Sequence, residues 1–139
     1  MKDVTRAMIH EFHLNKLGYD FMGYEFANSK QLSFHHLIIA KKDCKNLGYG
    51  DGYFYWNGAI LKQKTSHDYL HIIQRIDPQI FREITKEMID ENKKGYLDRD
   101  NLLRIKYILE YFEREHCGDV NKHGYHVIRE EYIRQRILK

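Results

Sequence analysis

The sequence is poor in cysteine and proline and has no long apolar run. Its 139 residues include two cysteines, Cys44 and Cys117, and one proline. Two cysteines cannot build a disulfide framework, so we expect a reducing compartment and a cytoplasmic location. The single proline and the lack of low-complexity tracts argue against disorder. The apolar runs are far shorter than a membrane span, and residues 1–12 lack the apolar region of a signal peptide, so no membrane partner is expected.

The composition is that of a small globular domain with little excess charge. Hydrophobic residues make up 42% of the chain, and the 11 tyrosines add to the material for a core. The net charge of +3 is too small to identify a nucleic-acid partner. The charges are unevenly distributed along the chain. Residues 1–76 hold 10 basic residues (Lys and Arg) against 7 acidic residues (Asp and Glu), whereas residues 77–139 hold 13 basic and 13 acidic residues. The positive excess therefore lies in the first half.

Hydrophobic periodicity predicts helices and strands in the first half. Apolar residues four apart predict a helix over residues 3–17 that ends at Gly18. Residues 32–40 and 53–61 are predicted strands, and a glycine-rich loop joins them. A second helix is predicted over residues 66–76, where Thr65 and Asp68 resemble a capping box.

The second half is predicted to be helical. Pro78 suits the first turn of a helix that ends at Gly95, and Asp98 caps another helix that ends at Cys117 and Gly118. Residues 119–128 are predicted to form a turn or hook, and a last helix is predicted over residues 129–138. This last helix is basic, with Arg129, Arg134, Arg136 and Lys139. It could contact substrate or form a dimerising arm, so a homodimer stays an option.

Four of the nine histidines fall within residues 34–71, in an ordered set with an asparagine. His35 and His36 are adjacent on the first predicted strand, and Asn57 lies in the second. His67 and His71 are four apart on the predicted helix, so they share one face. Each histidine alone is explained as simply by a polar strand edge or a solvated helix face. The ordered set predicts a metal site, since strand, loop, strand and helix would bring His35 beside that helix face.

The ordered set resembles the HNH endonucleases, the ββα-metal nucleases, over residues 19–76. The resemblance implies an α+β fold with two parts. Residues 1–76 would form an HNH-like ββα-metal core with an N-terminal helix, and residues 77–139 a helical extension packed on that core. The implied activity is metal-dependent hydrolysis of phosphodiester bonds in nucleic acid, with DNA the expected substrate and RNA left open.

The same resemblance implies a role for each residue of the set. His35, His67 and His71 would be ligands of a divalent metal ion, His36 the general base, and Asn57 the residue that braces the loop and the base. Such an ion can stabilise the charge that builds on the phosphoryl and leaving oxygens, and a neutral imidazole can take the proton of the attacking water. The two adjacent histidines divide these tasks only if their side chains point opposite ways, as on a strand.

The likeness to the HNH family is incomplete. Many members carry two Cys-x-x-Cys pairs for a structural zinc, and this chain has none. The first ligand is often aspartate and is here His35, so Mg²⁺, Mn²⁺ and Zn²⁺ all stay open. Ligand imidazoles also need acceptors for their other ring N–H groups, and Asp51 and Asp68 are candidates only by proximity.

Five lysines flank the predicted site, and they are candidate phosphate contacts: Lys41, Lys42, Lys45, Lys62 and Lys64. Such contacts supply the sequence-independent part of nucleic-acid affinity, although a solvated loop explains the lysines too. Two other functions fit the same residues. One is a non-cleaving HNH-derived module, such as a regulator or inhibitor from a mobile element, that binds nucleic acid or protein. The other is a structural zinc protein, which would need no base.

Overall fold

The computed structural model of the chain describes the backbone of residues 1–122 and the side chains of residues 1–116. Within this range six α-helices and a two-stranded antiparallel sheet confirm the predicted α+β class. The helices are α1 (Asp3–Glu11), α2 (Leu14–Leu17), α3 (Lys41–Cys44), α4 (Ser66–Ile76), α5 (Pro78–Lys94) and α6 (Arg99–Lys122), and the strands are β1 (Leu32–His36) and β2 (Gly58–Lys62). No helix in this range is long and apolar enough to cross a membrane.

The predicted N-terminal helix is interrupted. His13 has a φ of +56°, in the left-handed region, and this residue separates α1 from α2. Gly18 ends α2 with a φ of +80°, as predicted, because glycine enters the left-handed region without a Cβ penalty. The prediction of one helix over residues 3–17 is therefore wrong at residues 12–13 and correct at its end.

Both strands are shorter than predicted. β1 and β2 pair antiparallel, with His36 opposite Gly58 and Phe34 opposite Ile60. Beyond β1, the backbone N–H groups of Ile38 and Ile39 donate to the side chain of Asn57 instead of to a strand. This side-chain competition ends the ladder, so the predicted strand over residues 32–40 is wrong after residue 36. The predicted second strand is wrong over residues 53–57, since Tyr55–Asn57 is a 3-10 turn.

The long helices follow the predicted pattern closely. α4 has the predicted bounds, although the Thr65 side chain makes no capping hydrogen bond, so that capping box is wrong. α5 begins at Pro78 and ends at Gly95, and Asp77 caps it by accepting from the Ile80 N–H. α6 starts after Asp98 and extends to Lys122 with a non-helical residue at 116, so its predicted end is wrong by a few residues. The predicted helix over residues 129–138, with Arg129, Arg134, Arg136 and Lys139, lies outside the described residues.

One hydrophobic core joins the first and second halves of the chain. Its fully buried side chains come from α1, the sheet, α4, α5 and α6, and include Met8, Ile60, Tyr69, Ile84 and Phe112. β2 and α4 pack against α5, and α4 also packs against α6. The helical second half thus covers the elements that carry the histidines.

Candidate metal centre

Three of the predicted histidines converge between β1 and α4. The ring centroid of His35 lies 5.1 Å from that of His67 and 5.4 Å from that of His71, and the two helix histidines are 5.1 Å apart. Their potential ligand atoms all lie within 4.8 Å of one another. Tetrahedral coordination with bonds of ~2.0–2.1 Å needs nitrogens about 3.4 Å apart, so small side-chain rotations suffice. These three histidines could hold a metal ion.

His35 has a buried nitrogen that lacks a partner. Its side chain is 4% exposed, and Nε2 has no hydrogen-bond partner among the described residues. Burial, together with the nearby imidazoles of His67 and His71, lowers the pKa of His35 to about 3, so the ring is neutral. A buried polar atom without a partner costs about 1–3 kcal/mol. A metal ion would remove that cost, and neutral imidazole is the form that binds metal.

The outer ring nitrogens of the helix histidines have acceptors. His67 Nδ1 lies 2.7 Å from Ser33 Oγ, and that hydroxyl donates to the carbonyl oxygen of Leu61. The serine oxygen therefore accepts from Nδ1–H, which leaves the Nε2 lone pair of His67 available to an ion. His71 Nδ1 donates in the same way to Gln74 Oε1 at 3.3 Å. Burial chiefly lowers the pKa of His67 to about 4, so it too is neutral.

These acceptors differ from those suggested by proximity in sequence. Asp68 makes no hydrogen bond to a site histidine in the described part of the chain, and only its charge acts on His67, where it opposes the lowering of the pKa. Among the described residues, Asp51 accepts a hydrogen bond from a site histidine only through its backbone carbonyl, and that histidine is His36. Ser33 was missed because its contact to the helix spans 34 residues.

His36 lies outside the three-histidine group. Its ring packs edge-on against Phe34 and Tyr53, with centroids 5.0 Å away in both cases, so it diverges from His35 as neighbours on a strand do. His36 Nε2 donates to the carbonyl oxygen of Asp51 at 2.9 Å. A carbonyl only accepts, so Nε2 carries the proton and Nδ1 keeps a lone pair. All four histidines line one cavity of about 670 Å³.

Gly52 supports the position of the His36 ring. Its φ is +74°, and a Cβ at this position would lie 2.9 Å from His36 Cδ2 and would overlap Cys44 Sγ. Only glycine leaves room for both side chains at this backbone conformation. Cys44 is itself fully buried and donates to the carbonyl oxygens of Ile39 and Ala40.

Asn57 connects the two ends of the loop between the strands. Its buried side chain accepts from the N–H groups of Ile38 and Ile39 at 2.9 and 2.8 Å, and donates to the carbonyl oxygens of Ile39 and Gly52 at 3.0 and 3.2 Å. Asn92 on α5 contacts the end of this loop, since its Nδ2 donates to the carbonyl of Gly58 at 2.6 Å. The loop that carries the His36 acceptor is therefore fixed from both sides.

Asp20 positions the start of the histidine helix. One carboxylate oxygen accepts from the N–H groups of Met22 and Tyr24, and the other accepts from Lys62 N–H and from the hydroxyl of Ser66 in α4. Burial raises the pKa of Asp20, and these four hydrogen bonds oppose that shift. Residues 20–24 are thus joined to β2 and α4 by one carboxylate.

The predicted lysines fall into two groups. Lys41, Lys42 and Lys45 are exposed on and beside α3, and Lys41 lines the histidine cavity. Lys62 ends β2 beside a separate depression with Glu25, and Lys64 follows it with a φ of +62°. Of the five lysines, only Lys41 lines the cavity that holds the histidines.

No protein-family model, curated protein or solved structure matches this chain significantly. Within the residues whose side chains are described, no fourth histidine, cysteine or carboxylate joins the three-histidine group. Three protein ligands with a place for one more are typical of catalytic zinc sites, whereas structural sites use four. The arrangement can hold an ion and keep a separate imidazole beside it.

Proposed function

We propose that this protein is a divalent-metal-dependent phosphodiesterase of the HNH type that hydrolyses nucleic acid, with DNA the expected substrate. The observation that carries the proposal is the different placement of four histidines that line one cavity. His35, His67 and His71 converge with their ligand atoms within 4.8 Å, whereas His36 hydrogen-bonds to Asp51 instead. A structural metal site would not need the fourth imidazole.

The three converging histidines would hold the ion. His35 offers a buried Nε2 without another partner, and the contacts of Ser33 and Gln74 fix the Nδ1–H tautomers of His67 and His71. When bound, a divalent ion would stabilise the negative charge on the phosphoryl and leaving oxygens of the substrate. An all-imidazole ligand set favours Zn²⁺ and similar ions over Mg²⁺, which prefers oxygen ligands.

His36 would act as the general base. Because Nε2–H is held by the carbonyl of Asp51, the Nδ1 lone pair can accept a proton from the attacking water. The same carbonyl stabilises the resulting imidazolium by keeping its hydrogen bond to Nε2. General-base catalysis of this kind contributes typically ~10²–10⁴-fold.

The order of elements supports an HNH-like ββα-metal core. β1 carries His35 and His36, Asn57 precedes β2, and α4 carries His67 and His71. The hydrogen bonds of Asn57 to Ile38 and Gly52 support the bracing role that the resemblance implies for it. Exposed lysines on α3 lie beside the cavity and would contact phosphates, with Lys41 in its wall.

Cleavage assays with a base variant test the proposal. We expect the metal-free protein to leave plasmid DNA and RNA intact, and Zn²⁺ or Mn²⁺ to restore cutting. His36→Ala should reduce cleavage by at least ~10²-fold while metal affinity and substrate binding stay within a factor of about two, because the base acts only on water. Failure of every common divalent ion to support cutting, with binding retained, would favour the non-cleaving module instead.

A further inference from the structure

Three exposed aromatic side chains form a cluster on the loop before β2. Tyr49, Phe54 and Trp56 are 40%, 40% and 42% exposed. The rings of Phe54 and Trp56 are parallel within 3° with centroids 5.6 Å apart, and Tyr49 meets both edge-on at 6.3 and 5.6 Å. Single exposed hydrophobic residues are common, whereas contiguous exposed apolar side chains are a feature of binding surfaces, so this cluster is a candidate for one.

The aromatic cluster stands on a fixed backbone. Tyr49 N–H donates to the carbonyl of Cys44 at 2.8 Å, and Gly52 N–H donates to the carbonyl of Tyr49 at 3.0 Å. Phe54 N–H donates to Gly52, and its own carbonyl accepts from the N–H of Asn57 at 2.9 Å. The backbone that carries the rings is therefore fixed before any ligand arrives, which reduces the entropy lost on binding.

The surroundings of the cluster are basic and adjoin the histidine cavity. Lys41, Lys42 and Lys45 are exposed on the segment to which Tyr49 is hydrogen-bonded, and none of the three makes an ion pair within the described residues. Tyr53, next to Phe54 in the chain, lines the cavity and contacts the His36 ring. The cluster thus adjoins the lysine segment through the backbone of Tyr49, and it adjoins the histidine cavity through Tyr53.

We infer that Tyr49, Phe54 and Trp56 form a stacking platform for unpaired nucleobases, so that the substrate is single-stranded or locally unpaired nucleic acid. The part that concerns the substrate rests on the proposed function. Aromatic rings beside lysines bind single strands by stacking on bases while the cations contact phosphates. A duplex hides its base faces within the helix and cannot use the rings. A protein partner fits less well, because lysine is depleted at protein interfaces.

The only tryptophan of the chain gives a direct measurement of this binding. Trp56 reports alone because the sequence holds no other tryptophan. With a chelator present to prevent cleavage, the full chain is titrated with a 15-nucleotide thymidine oligomer, an abasic oligomer of equal charge, and a duplex of equal length. We expect the thymidine oligomer to quench the fluorescence and to bind at least ~5-fold more tightly than the other two. Equal affinity for the abasic oligomer, or preference for the duplex, overturns the platform.

Matched variants separate the rings from the lysines. Phe54→Ala should reduce affinity for the thymidine oligomer by ~5-fold or more and leave affinity for the abasic oligomer unchanged. Tyr96→Ala, at a tyrosine that is 55% exposed elsewhere, should change neither. Lys42→Ala should weaken binding of both oligomers alike. A Phe54→Ala variant that keeps wild-type affinity for the thymidine oligomer overturns the inference.

The result of the fluorescence titration does not depend on whether the protein cleaves nucleic acid. Quenching without cleavage under any metal condition supports the platform and removes the proposed function. Cleavage without quenching supports the proposed function and overturns the platform. A blue shift of Trp56 emission with rising protein concentration, together with a dimer in analytical ultracentrifugation and no quenching by oligomers, shows that a second copy covers the rings and overturns the inference.

Discussion

The Nδ1 atom of His67 lies 2.7 Å from the hydroxyl oxygen of Ser33, across the space between α4 and β1. Because that hydroxyl also donates to the carbonyl of Leu61, it orients the imidazole so that Nε2 faces away with its lone pair free. A residue of the strand thereby sets the tautomer of a residue of the helix. The contact is a property of the folded chain that no local pattern encodes.

Removal of this hydroxyl should weaken metal binding without unfolding the protein. Ser33→Ala leaves His67 free to rotate and to change tautomer, and loss of such an outer contact typically lowers metal affinity by 10–100-fold. Competition with a chromophoric chelator would measure the change. Ser33→Thr keeps a hydroxyl and serves as the control. Equal affinities of the alanine variant and the wild type would show that Ser33 does not orient the ligand.

His71 is the most exposed of the three converging histidines, and its role is the easiest to isolate. His71→Ala should remove one of three ligands and lower affinity for Zn²⁺ strongly, by at least about 10-fold, with little loss of stability because the side chain is exposed. Isothermal titration calorimetry would measure this. His10→Ala, on the exposed side of α1, is the matched control and should bind as the wild type does. If the two variants bind zinc alike, His71 is not a ligand.

The local features of the site could be predicted from the sequence. The spacing of His67 and His71, the Asp77-Pro78 junction and the glycine stop at residue 95 act within one or two helical turns, so they are visible in sequence. The strand ends were mispredicted because the side chain of Asn57 replaces a strand partner for Ile38 and Ile39.

The residues that were missed act over long separations. Asp20 contacts Ser66 across 46 residues, and Asn92 contacts Gly58 across 34. Neither position belongs to a periodic or spaced pattern. Each residue acts through hydrogen bonds to groups that are distant in sequence and that only the fold brings close to it. Phe54 and Trp56 were mispredicted as strand residues for a related reason: aromatic residues favour strands on average, and here their rings lie together in solvent.

Stability should fall with rising pH because of one buried carboxyl. Glu91 in α5 is fully buried, and neither carboxylate oxygen has a hydrogen-bond partner among the described residues. Burial, reinforced by the negative charges of Asp20, Glu87, Asp98 and Asp90, raises the pKa of Glu91 well above its usual value. Above the usual glutamate pKa the unfolded chain releases this proton while the folded chain keeps it. The stabilisation is therefore complete at low pH and is lost as pH rises toward the folded pKa.

Glu91→Gln should flatten this dependence, because the amide does not titrate. One proton corresponds to at most about 1.4 kcal/mol per pH unit, so urea midpoints of the wild type should fall relative to the variant from about pH 5 upward. Glu83→Gln, at an exposed position of the same helix, is the control and should run parallel to the wild type. Parallel curves for Glu91→Gln would mean that Glu91 is already ionised in the folded chain.

Two glycines of one loop offer a test of how His36 is held. Gly48 and Gly52 have φ values of +86° and +74°, so alanine at either position costs about 1 kcal/mol of backbone strain. A Cβ at Gly48 meets no atom within 4 Å, whereas a Cβ at Gly52 would lie against His36 and Cys44. Alanine therefore strains the backbone at both positions, but it creates new side-chain contacts only at position 52.

Gly52→Ala should consequently displace the His36 ring, whereas Gly48→Ala should not. We expect both variants to lose stability, the former by the larger amount, and both to bind metal as the wild type does, since the His35, His67 and His71 rings are untouched. Only Gly52→Ala should shift the His36 imidazole resonances in NMR spectra and, under the proposed function, slow cleavage at saturating metal. If Gly52→Ala leaves these resonances and the cleavage rate equal to those of Gly48→Ala, the position of His36 does not depend on the space that Gly52 leaves.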